Sequence, residues 1–398
     1  MKVSLAFNRN TPAPQTGPER VPQPMLEKSG PSLILGGKNA EMPLAEPIAP
    51  NRTTMFGPRG SLLVRPEGPF IVCDTGHHRL MIWNEKPTTN NAPCDFIIGQ
   101  PNFEHEGRNA KGDAGAATLN VPTGIASDGT VLAVADAWNH RVLIWHTIPT
   151  EMNQPADIVI GQEDFTGVLA NRGEEATAST TNWCYGVAII DGKLIVADTG
   201  NRRVLIWNDI PTTNGAPADM VMGQEDMVTR DENAGRDPGP LGMRWPHSVV
   251  AVGEKILVSD AGNNRIMVWE KWPTKPGVPC DYVLGQKDSA SLEHNRAAYL
   301  PNDKALNMPY GMTAIGDWLI AADTANSRLA GWRQSSISAD APLDGVGAQP
   351  TFTSKGDNRW GMPVHDSVCW PYWVSACENT LAISDSGNNR VMLWELAQ

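Results

Sequence analysis

DTGNRRVLIW, at residues 198–207, is one of six near-copies of a single decapeptide that recur through this chain. The shared pattern is Asp-x-x-[Asn/His]-x-Arg-x-x-x-Trp. The copies begin at Asp74, Asp136, Asp198, Asp260, Asp323 and Asp385, so that successive copies are 62, 62, 62, 63 and 62 residues apart. A constant period of this kind indicates a repeat architecture in which each unit packs against its neighbours.

Two further landmarks keep the same period. An apolar run ending in Gly-Gln precedes the aspartate, with its last residue at Gln100, Gln162, Gln224 and Gln286. A short apolar segment begins 14 residues before the aspartate at Pro122, Cys184, Pro246, Pro309 and Pro371, and its first copy begins two residues earlier than expected, at Pro58. Each unit therefore contains four strand-sized segments separated by turn residues. Six units of four antiparallel strands predict an all-β fold, a six-bladed β-propeller.

The repeat resembles the NHL-repeat family, in which an aspartate is followed by a Gly/Asn-containing turn, an arginine and an aliphatic strand. The resemblance covers the chain from about residue 31 and implies the same propeller fold. We predict an extended N-terminal arm at residues 1–30 and a single propeller at residues 31–398. The last unit ends just after Trp394 without a fourth strand. PSLILGG, at residues 31–37, looks like a detached copy of the Gly-Gln strand and is predicted to complete the last blade, because that pairing removes two open sheet edges.

The amino-acid composition argues against some classes of binding partner. The formal net charge is −12 and the sequence has no Lys/Arg cluster, which predicts no nucleic-acid partner because backbone binding depends on basic patches. No stretch approaches the roughly 18 apolar residues of a membrane span, so no membrane partner is expected. The six cysteines are far apart and form no CxxC pair, which favours reduced thiols and a cytoplasmic location. No oligomeric state is indicated.

Residues that recur in every unit are interpreted as structural. The six aspartates resemble a metal-binding array, but each lies at a strand end five residues before an arginine, where its carboxylate can accept hydrogen bonds from the turn and the arginine. His77, His78 and His140 lie in the Asp–Arg turns, and the resemblance to the NHL-repeat family, in which histidine is common in this turn, implies that they are turn residues. The recurring tryptophans are expected to pack between blades: Trp83, Trp145, Trp207, Trp269, Trp332 and Trp394.

Residues that vary within the repeat are the candidates for function. The connections between blades are about 20 residues long, and loops of that length are usually functional. They are expected on one face, together with the start of each first strand. The residue after each strand start gives a ring of Arg59, Thr123, Tyr185, His247, Tyr310 and Tyr372, and the residue before it adds Trp183, Trp245 and Trp370. Tyr and Trp form rigid contact surfaces, while Arg and His add hydrogen-bonding groups. We predict that these nine residues bind a protein or peptide-like ligand.

Two functional hypotheses follow. In the first, which we favour, the propeller is a non-catalytic binding protein with no catalytic residue, no metal ligand and no cofactor. In the second, the channel mouth holds the site of a metal-dependent (zinc) lyase or hydrolase. Six-bladed lactonases hold a divalent ion with carboxylates and Asn, whereas the first-strand segments here contain no Asp or Glu. NHL-type lyases hold zinc with several histidines. The ring contains only His247, to which His105, His294 and His365 in the loops are the available additions.

Overall fold

The computed structural model describes residues 20–36 and 48–397. In these residues the strands form six antiparallel sheets of four strands, which are the blades of the fold. Blade one consists of β2 (Gly60–Leu63), β3 (Phe70–Asp74), β4 (Arg79–Trp83) and β5 (Phe96–Ile98). Blade two consists of β6 (Pro122–Ser127), β7 (Leu132–Asp136), β8 (Arg141–Trp145) and β9 (Ile158–Ile160). Blade three consists of β10 (Cys184–Ile190), β11 (Lys193–Asp198), β12 (Arg203–Trp207) and β13 (Met220–Met222).

The other three blades repeat this order. Blade four consists of β14 (Pro246–Val252), β15 (Lys255–Asp260), β16 (Arg265–Trp269) and β17 (Tyr282–Leu284). Blade five consists of β18 (Pro309–Ile315), β19 (Trp318–Asp323), β20 (Arg328–Arg333) and β21 (Gly345–Gly347). Blade six consists of β22 (Pro371–Cys377), β23 (Thr380–Asp385), β24 (Arg390–Glu395) and the N-terminal strand β1 (Leu33–Leu35).

The first strands of the six blades meet at the centre of a closed ring. Each first strand contacts the first strands of both neighbours, and β2 contacts β6 on one side and β22 on the other. The repeats therefore form the predicted all-β, six-bladed propeller, with a channel along its axis.

The two rims of the ring differ. One rim carries the turn between the second and third strands of each blade, which forms a short 3-10 helix at Thr75–His77, Ala137–Asn139, Thr199–Asn201, Ala261–Asn263, Thr324–Asn326 and Ser386–Asn388. The same rim carries the connections between blades, with 3-10 helices at Arg108–Lys111, Ala170–Gly173, Glu232–Gly235, His294–Ala297 and Asp357–Trp360. We call this rim the long-loop face. The opposite rim, which includes the 3-10 helix Gln334–Ser336, is called the short-turn face.

The prediction that the N-terminus completes the last blade is confirmed. β1 pairs with β24 in antiparallel register, with Leu33 opposite Leu393 and Leu35 opposite Val391. The indole N–H of Trp394 donates to the carbonyl oxygen of Glu27 at 2.8 Å, where the equivalent tryptophans donate to a carbonyl nine residues further along their own blade. The N-terminal segment therefore supplies both the missing fourth strand and the carbonyl group that accepts the hydrogen bond of the blade's tryptophan. We call the interface between blades six and one the seam.

The recurring aspartate holds the turn and the loops together, as its structural interpretation predicts. In blade three, one carboxylate oxygen of Asp198 accepts from the backbone N–H of Asn182 at 2.7 Å, and the other accepts from Nε of Arg203 at 2.7 Å. Asn201 adds a third hydrogen bond to this carboxylate at 2.8 Å. Arg203 then donates from Nη2 to the carbonyls of Thr177 and Thr180 in the connection before the blade. Because Asp198 and Arg203 are both fully buried, this network fixes the long-loop face from inside.

The described part of the N-terminal segment crosses blades five and six before it reaches β1. Gln23 pairs with Gly345 in β21, and Leu26 pairs with Leu396 after β24. The Met25 side chain between them is 2% exposed. It occupies space that glycine leaves open, because a Cβ at Gly331 would overlap the sulfur of Met25. The equivalent positions in blades two and three are isoleucine, Ile144 and Ile206, so blade five has lost a large side chain where Met25 packs.

Candidate functional site

A cavity of about 610 Å³ opens on the long-loop face at the mouth of the channel. Eight of the nine predicted site residues line it: Arg59, Tyr185, His247, Tyr310, Tyr372, Trp183, Trp245 and Trp370. The ninth, Thr123, does not line the cavity. Its buried hydroxyl donates to the backbone carbonyl of Tyr185 at 2.8 Å and thereby joins the first strands of blades two and three. The nine residues lie at equivalent positions of the six repeats. The first repeat keeps the same strand pairing despite its shifted Pro58, because Gly60 pairs with Cys73 as Gly186 pairs with Ala197.

The floor of the cavity is a continuous stack of rings. The ring of His247 stacks on Tyr185 at 5.3 Å between centroids and on Tyr310 at 4.3 Å, with interplanar angles of 17° and 22°. Tyr310 contacts Tyr372 at 4.5 Å, and the guanidinium of Arg59 lies 5.0 Å from the centre of the Tyr372 ring. Neighbouring blades each contribute one of these side chains, so the stack follows the curvature of the ring.

The histidine in this floor is neutral at physiological pH. Burial lowers the pKa of His247 to about 4, and the positive charge of Arg59 acts in the same direction. The Nδ1 atom lies 2.9 Å from the carbonyl oxygen of Trp245. A carbonyl oxygen only accepts hydrogen bonds, so Nδ1 carries the proton and Nε2 does not. The His247 ring is therefore an uncharged stacking partner.

The floor phenols are also uncharged. Burial raises the pKa of Tyr310 to about 12, and burial raises the pKa of Tyr372 further still. The charge of Arg59 opposes both shifts but is outweighed by the cost of removing a phenolate from water. Since Tyr310 and Tyr372 are only 9% and 7% exposed, they offer a limited surface to a ligand and act mainly as a rigid base.

The walls of the cavity are the three predicted tryptophans. Trp183, Trp245 and Trp370 are 49%, 39% and 44% exposed, respectively. Trp183 and Trp370 have left-handed backbone conformations, with φ of 47° and 50°. Each donates its N–H to the residue that ends the turn of the preceding blade, which is Nδ1 of His140 at 2.9 Å for Trp183. This contact gives the turn histidine a structural role, and burial lowers the pKa of His140 so that Nδ1 is free to accept.

Arg202 also lines the cavity, although sequence reasoning did not identify it. It occupies the turn-ending position at which the other five blades place a residue that accepts the next blade's N–H: His78, His140, Asn264, Ser327 and Asn389. An arginine has no acceptor atom. The N–H of Trp245 therefore donates to Asp260 at 3.2 Å instead, and Trp245 lacks the positive φ of its equivalents. The signal in the sequence was a single arginine at a repeat position occupied elsewhere by His, Asn or Ser.

Exposed large apolar side chains are concentrated in the segments of the long-loop face. Among the described residues, all of them except Val21 and Met152 belong to the turns between second and third strands or to the connections that enter each blade. Those outside the cavity belong to the connections and turns: Phe56, Trp138, Val168, Leu169, Val228, Tyr299, Leu300, Trp360, Met362 and Val364. An apolar surface of this extent on one side of a molecule is typical of an interaction site.

The histidines named for a zinc site do not converge. In the ranges 20–36 and 48–397, no three His, Cys, Asp or Glu side chains are grouped closely enough to hold a metal ion. Nδ1 of His105 donates to Oε1 of Gln100 at 2.7 Å within its own loop, and His365 lies against Gly30 of the N-terminal segment. Nor do the described residues include a helix with the length and apolar character needed to cross a membrane.

The similarity between this chain and known proteins is limited to solved structures. No protein-family model and no curated protein matches the chain. It is similar to a solved structure of a Bacteroides thetaiotaomicron VPI-5482 protein of unknown function, at 13% identity and a TM-score of 0.50, over 94% of this chain and 76% of the other. It is also similar to the WD40 β-propeller domain of Doa1, at 7% identity and a TM-score of 0.47 over 92% of this chain and 96% of that one. At such identities the similarity is one of fold alone. The chain is a six-bladed β-propeller.

Proposed function

We propose that this chain is a non-catalytic propeller with NHL-type repeats that binds a protein or peptide-like partner through its long-loop face. The observation that carries the proposal is the segregation of exposed apolar side chains onto that face. Burial of such side chains against a partner removes apolar surface from water, which favours association. Outside the segments that form this face, only Val21 and Met152 are of this class among the described residues.

The cavity at the centre of the face supports the same proposal. Three half-exposed tryptophans surround a rigid floor, and buried Trp and Tyr contacts are common as the energetic centres of protein interfaces. The volume of about 610 Å³ is sufficient for one or two side chains of a bound peptide. We therefore assign the cavity to an anchoring side chain or chain end of the partner, and the surrounding loops to the rest of it.

The remaining assignments are part of the proposal. The six Asp–Arg turns support assignment to NHL-type repeats. All six cysteines are unpaired in the structure, which supports a reducing, cytoplasmic location. The net charge of −12 supports a partner other than nucleic acid.

Selection from a phage-displayed library of random dodecapeptides tests the proposal. Peptides enriched on the wild-type protein would be synthesised and their dissociation constants measured. We expect Trp183→Ser and Trp370→Ser each to weaken binding by about tenfold or more, because each removes an exposed aromatic contact worth at least ~1.4 kcal/mol. The floor tyrosines are not suitable for this test, since they are buried and their removal would also disturb the fold.

Met152→Ser on the short-turn face provides the matched control. Met152 is 38% exposed, comparable with the tryptophans, and its replacement is expected to leave binding unchanged. Peptides that bind equally well to the wild type and to both tryptophan variants, or that lose binding with Met152→Ser, would contradict the assignment of the long-loop face.

A further inference from the structure

The cavity differs in charge from the rest of the molecule. Its lining contains Arg59 and Arg202 but no Asp or Glu, in a chain whose formal net charge is −12. Neither guanidinium forms an ion pair with any carboxylate of the described residues, whereas the arginine in each Asp–Arg turn does. Since His247, Tyr310 and Tyr372 are uncharged, the two arginines carry the only formal charges at neutral pH among the described residues that line the cavity.

Arg202 is present at a structural cost. The five other blades use the same position to accept an inter-blade hydrogen bond, and Arg202 does not. Its Nη1 donates to the carbonyl of Gly200 at 2.9 Å and to that of Arg230 at 3.3 Å, while its Nε is buried with no hydrogen-bond partner among the described residues. A buried donor without a hydrogen-bond partner destabilises the folded protein, because its desolvation is not compensated. A residue that gives up the inter-blade hydrogen bond made by its equivalents, and lines a cavity, is better explained by what the cavity binds.

The donors still available in the cavity suit a carboxylate. The backbone N–H groups of the lining glycines are already used, by Asn389 for Gly57, Asn182 for Gly200 and Cys369 for Gly387. Backbone N–H clusters of this kind commonly bind phosphate, and here they are occupied within the protein. The two guanidinium groups are the cationic donors of the described lining, and their planar fork matches the two oxygens of a carboxylate.

We propose that the cavity is a carboxylate-binding site, in which Arg59 and Arg202 hold the carboxylate of a peptide and the tryptophan walls hold the apolar group next to it. This inference rests on the proposed function, because it concerns the same cavity. The carboxylate comes either from the C-terminus of the peptide or from an Asp or Glu side chain. Both sources present the same chemistry, and the experiment below separates them.

Three synthetic libraries of N-acetylated random pentapeptides serve as probes. The first lacks Asp and Glu and has a free C-terminal carboxylate, the second has the same composition but a C-terminal amide, and the third is amidated but contains Asp and Glu. Peptides retained by the immobilised protein are quantified by mass spectrometry. We expect retention from the first or the third library, which identifies the source, and none above background from the second.

Substitutions of the two arginines test whether they are responsible for peptide retention. Arg59→Gln and Arg202→Asn are each expected to reduce the affinity of retained peptides by about tenfold or more, because each removes a charge-assisted hydrogen bond. Arg65→Gln, which alters an exposed arginine on the short-turn face, is the matched control and should have no effect. Melting curves of all three variants establish that they are folded.

The outcomes separate the two proposals. Equal retention from the amidated library without Asp and Glu would overturn the carboxylate site and leave the peptide-binding function intact. Unchanged affinity in both Arg59→Gln and Arg202→Asn, with loss in Trp183→Ser, would do the same. Retention from none of the libraries, by a protein that also selects no phage-displayed peptide, would overturn the proposed function and the carboxylate site with it.

Discussion

Asn389 accepts a hydrogen bond through its Oδ1 from the backbone N–H of Gly57 at 2.8 Å, across the seam that joins the two ends of the chain. His78 and Val121 make the equivalent contact between blades one and two, at 3.0 Å. The seam therefore has the same inter-blade hydrogen bond as an ordinary blade interface. With β1 paired on β24, blade six is equivalent to the others although its strands come from both ends of the chain.

This equivalence predicts that the seam contributes as much to the stability of the fold as the other blade interfaces do. Leu35 in β1 and Leu284 in β17 occupy matching positions on the outer strands of blades six and four, and are 1% and 0% exposed. We expect Leu35→Ala and Leu284→Ala each to lower the free energy of unfolding by about 2–5 kcal/mol, the usual cost of truncating a buried leucine. Urea denaturation measures both, and deletion of residues 1–40 should reduce stability further.

A weakly docked N-terminal strand would behave differently. Leu35→Ala would then cost less than about 0.5 kcal/mol while Leu284→Ala retained its full cost, and the protein without residues 1–40 would melt as the full chain does. Either result would contradict the conclusion that β1 is an integral strand of blade six.

Met25 and Gly331 provide a second test of the N-terminal segment. Gly331→Ala places a methyl group where the sulfur of Met25 lies, so we expect a loss of about 1–3 kcal/mol in the free energy of unfolding, as for other overpacked sites. In Met25→Ala the same glycine substitution should cost much less, because the overlapping atom has gone. A double-mutant cycle on urea denaturation measures this coupling.

Gly115→Ala is the control for this cycle. A Cβ at Gly115 meets no atom within 4 Å, so the effect should be small and independent of Met25. If Gly331→Ala and Met25→Ala were instead additive, the contact between the N-terminal segment and blade five would contribute nothing measurable.

The sequence predicted those features that repeat and missed those that depend on contacts between distant residues. Spacing alone placed Arg59, Tyr185, His247, Tyr310 and Tyr372 on one ring, because a constant period gives each blade the same register. It did not reveal Arg202. The equivalent residues accept a hydrogen bond from the next blade, and a repeat pattern does not show which residues make contacts between blades. The fit of Met25 against Gly331 was equally hidden, because it joins residues 306 positions apart in the chain.

The buried His247 predicts an acid-sensitive stability. Its pKa is about 4 in the folded protein, against an ordinary value of 6.5, so the unfolded chain binds a proton that the folded protein does not between those values. Stability is therefore lost as the pH falls from about 6.5 towards 4. Relative to His247→Phe, the wild type should lose on the order of 2–3 kcal/mol more between pH 7 and pH 4.5.

Urea denaturation at the two pH values measures this difference directly. His146→Phe, which replaces a histidine whose side chain is 39% exposed, is the control and should follow the wild type. Parallel losses in the wild type and His247→Phe would mean that His247 takes up its proton within the folded protein, and would contradict a neutral floor to the cavity.

Arg202 predicts opposite effects of one substitution on stability and on binding. Arg202→Asn restores an acceptor for the N–H of Trp245, and asparagine tolerates the left-handed conformation of this position, where φ is 56°. We expect the free energy of unfolding to rise by about 0.5–1.5 kcal/mol, the net value of a hydrogen bond, while peptide affinity falls.

The reverse change at the equivalent position of blade four, Asn264→Arg, should destabilise the protein by a similar amount, because it removes the acceptor for Met308. Urea denaturation of both variants measures these changes. A destabilised Arg202→Asn would show that Arg202 is needed by the fold, and its place in the cavity would then require no ligand to explain it.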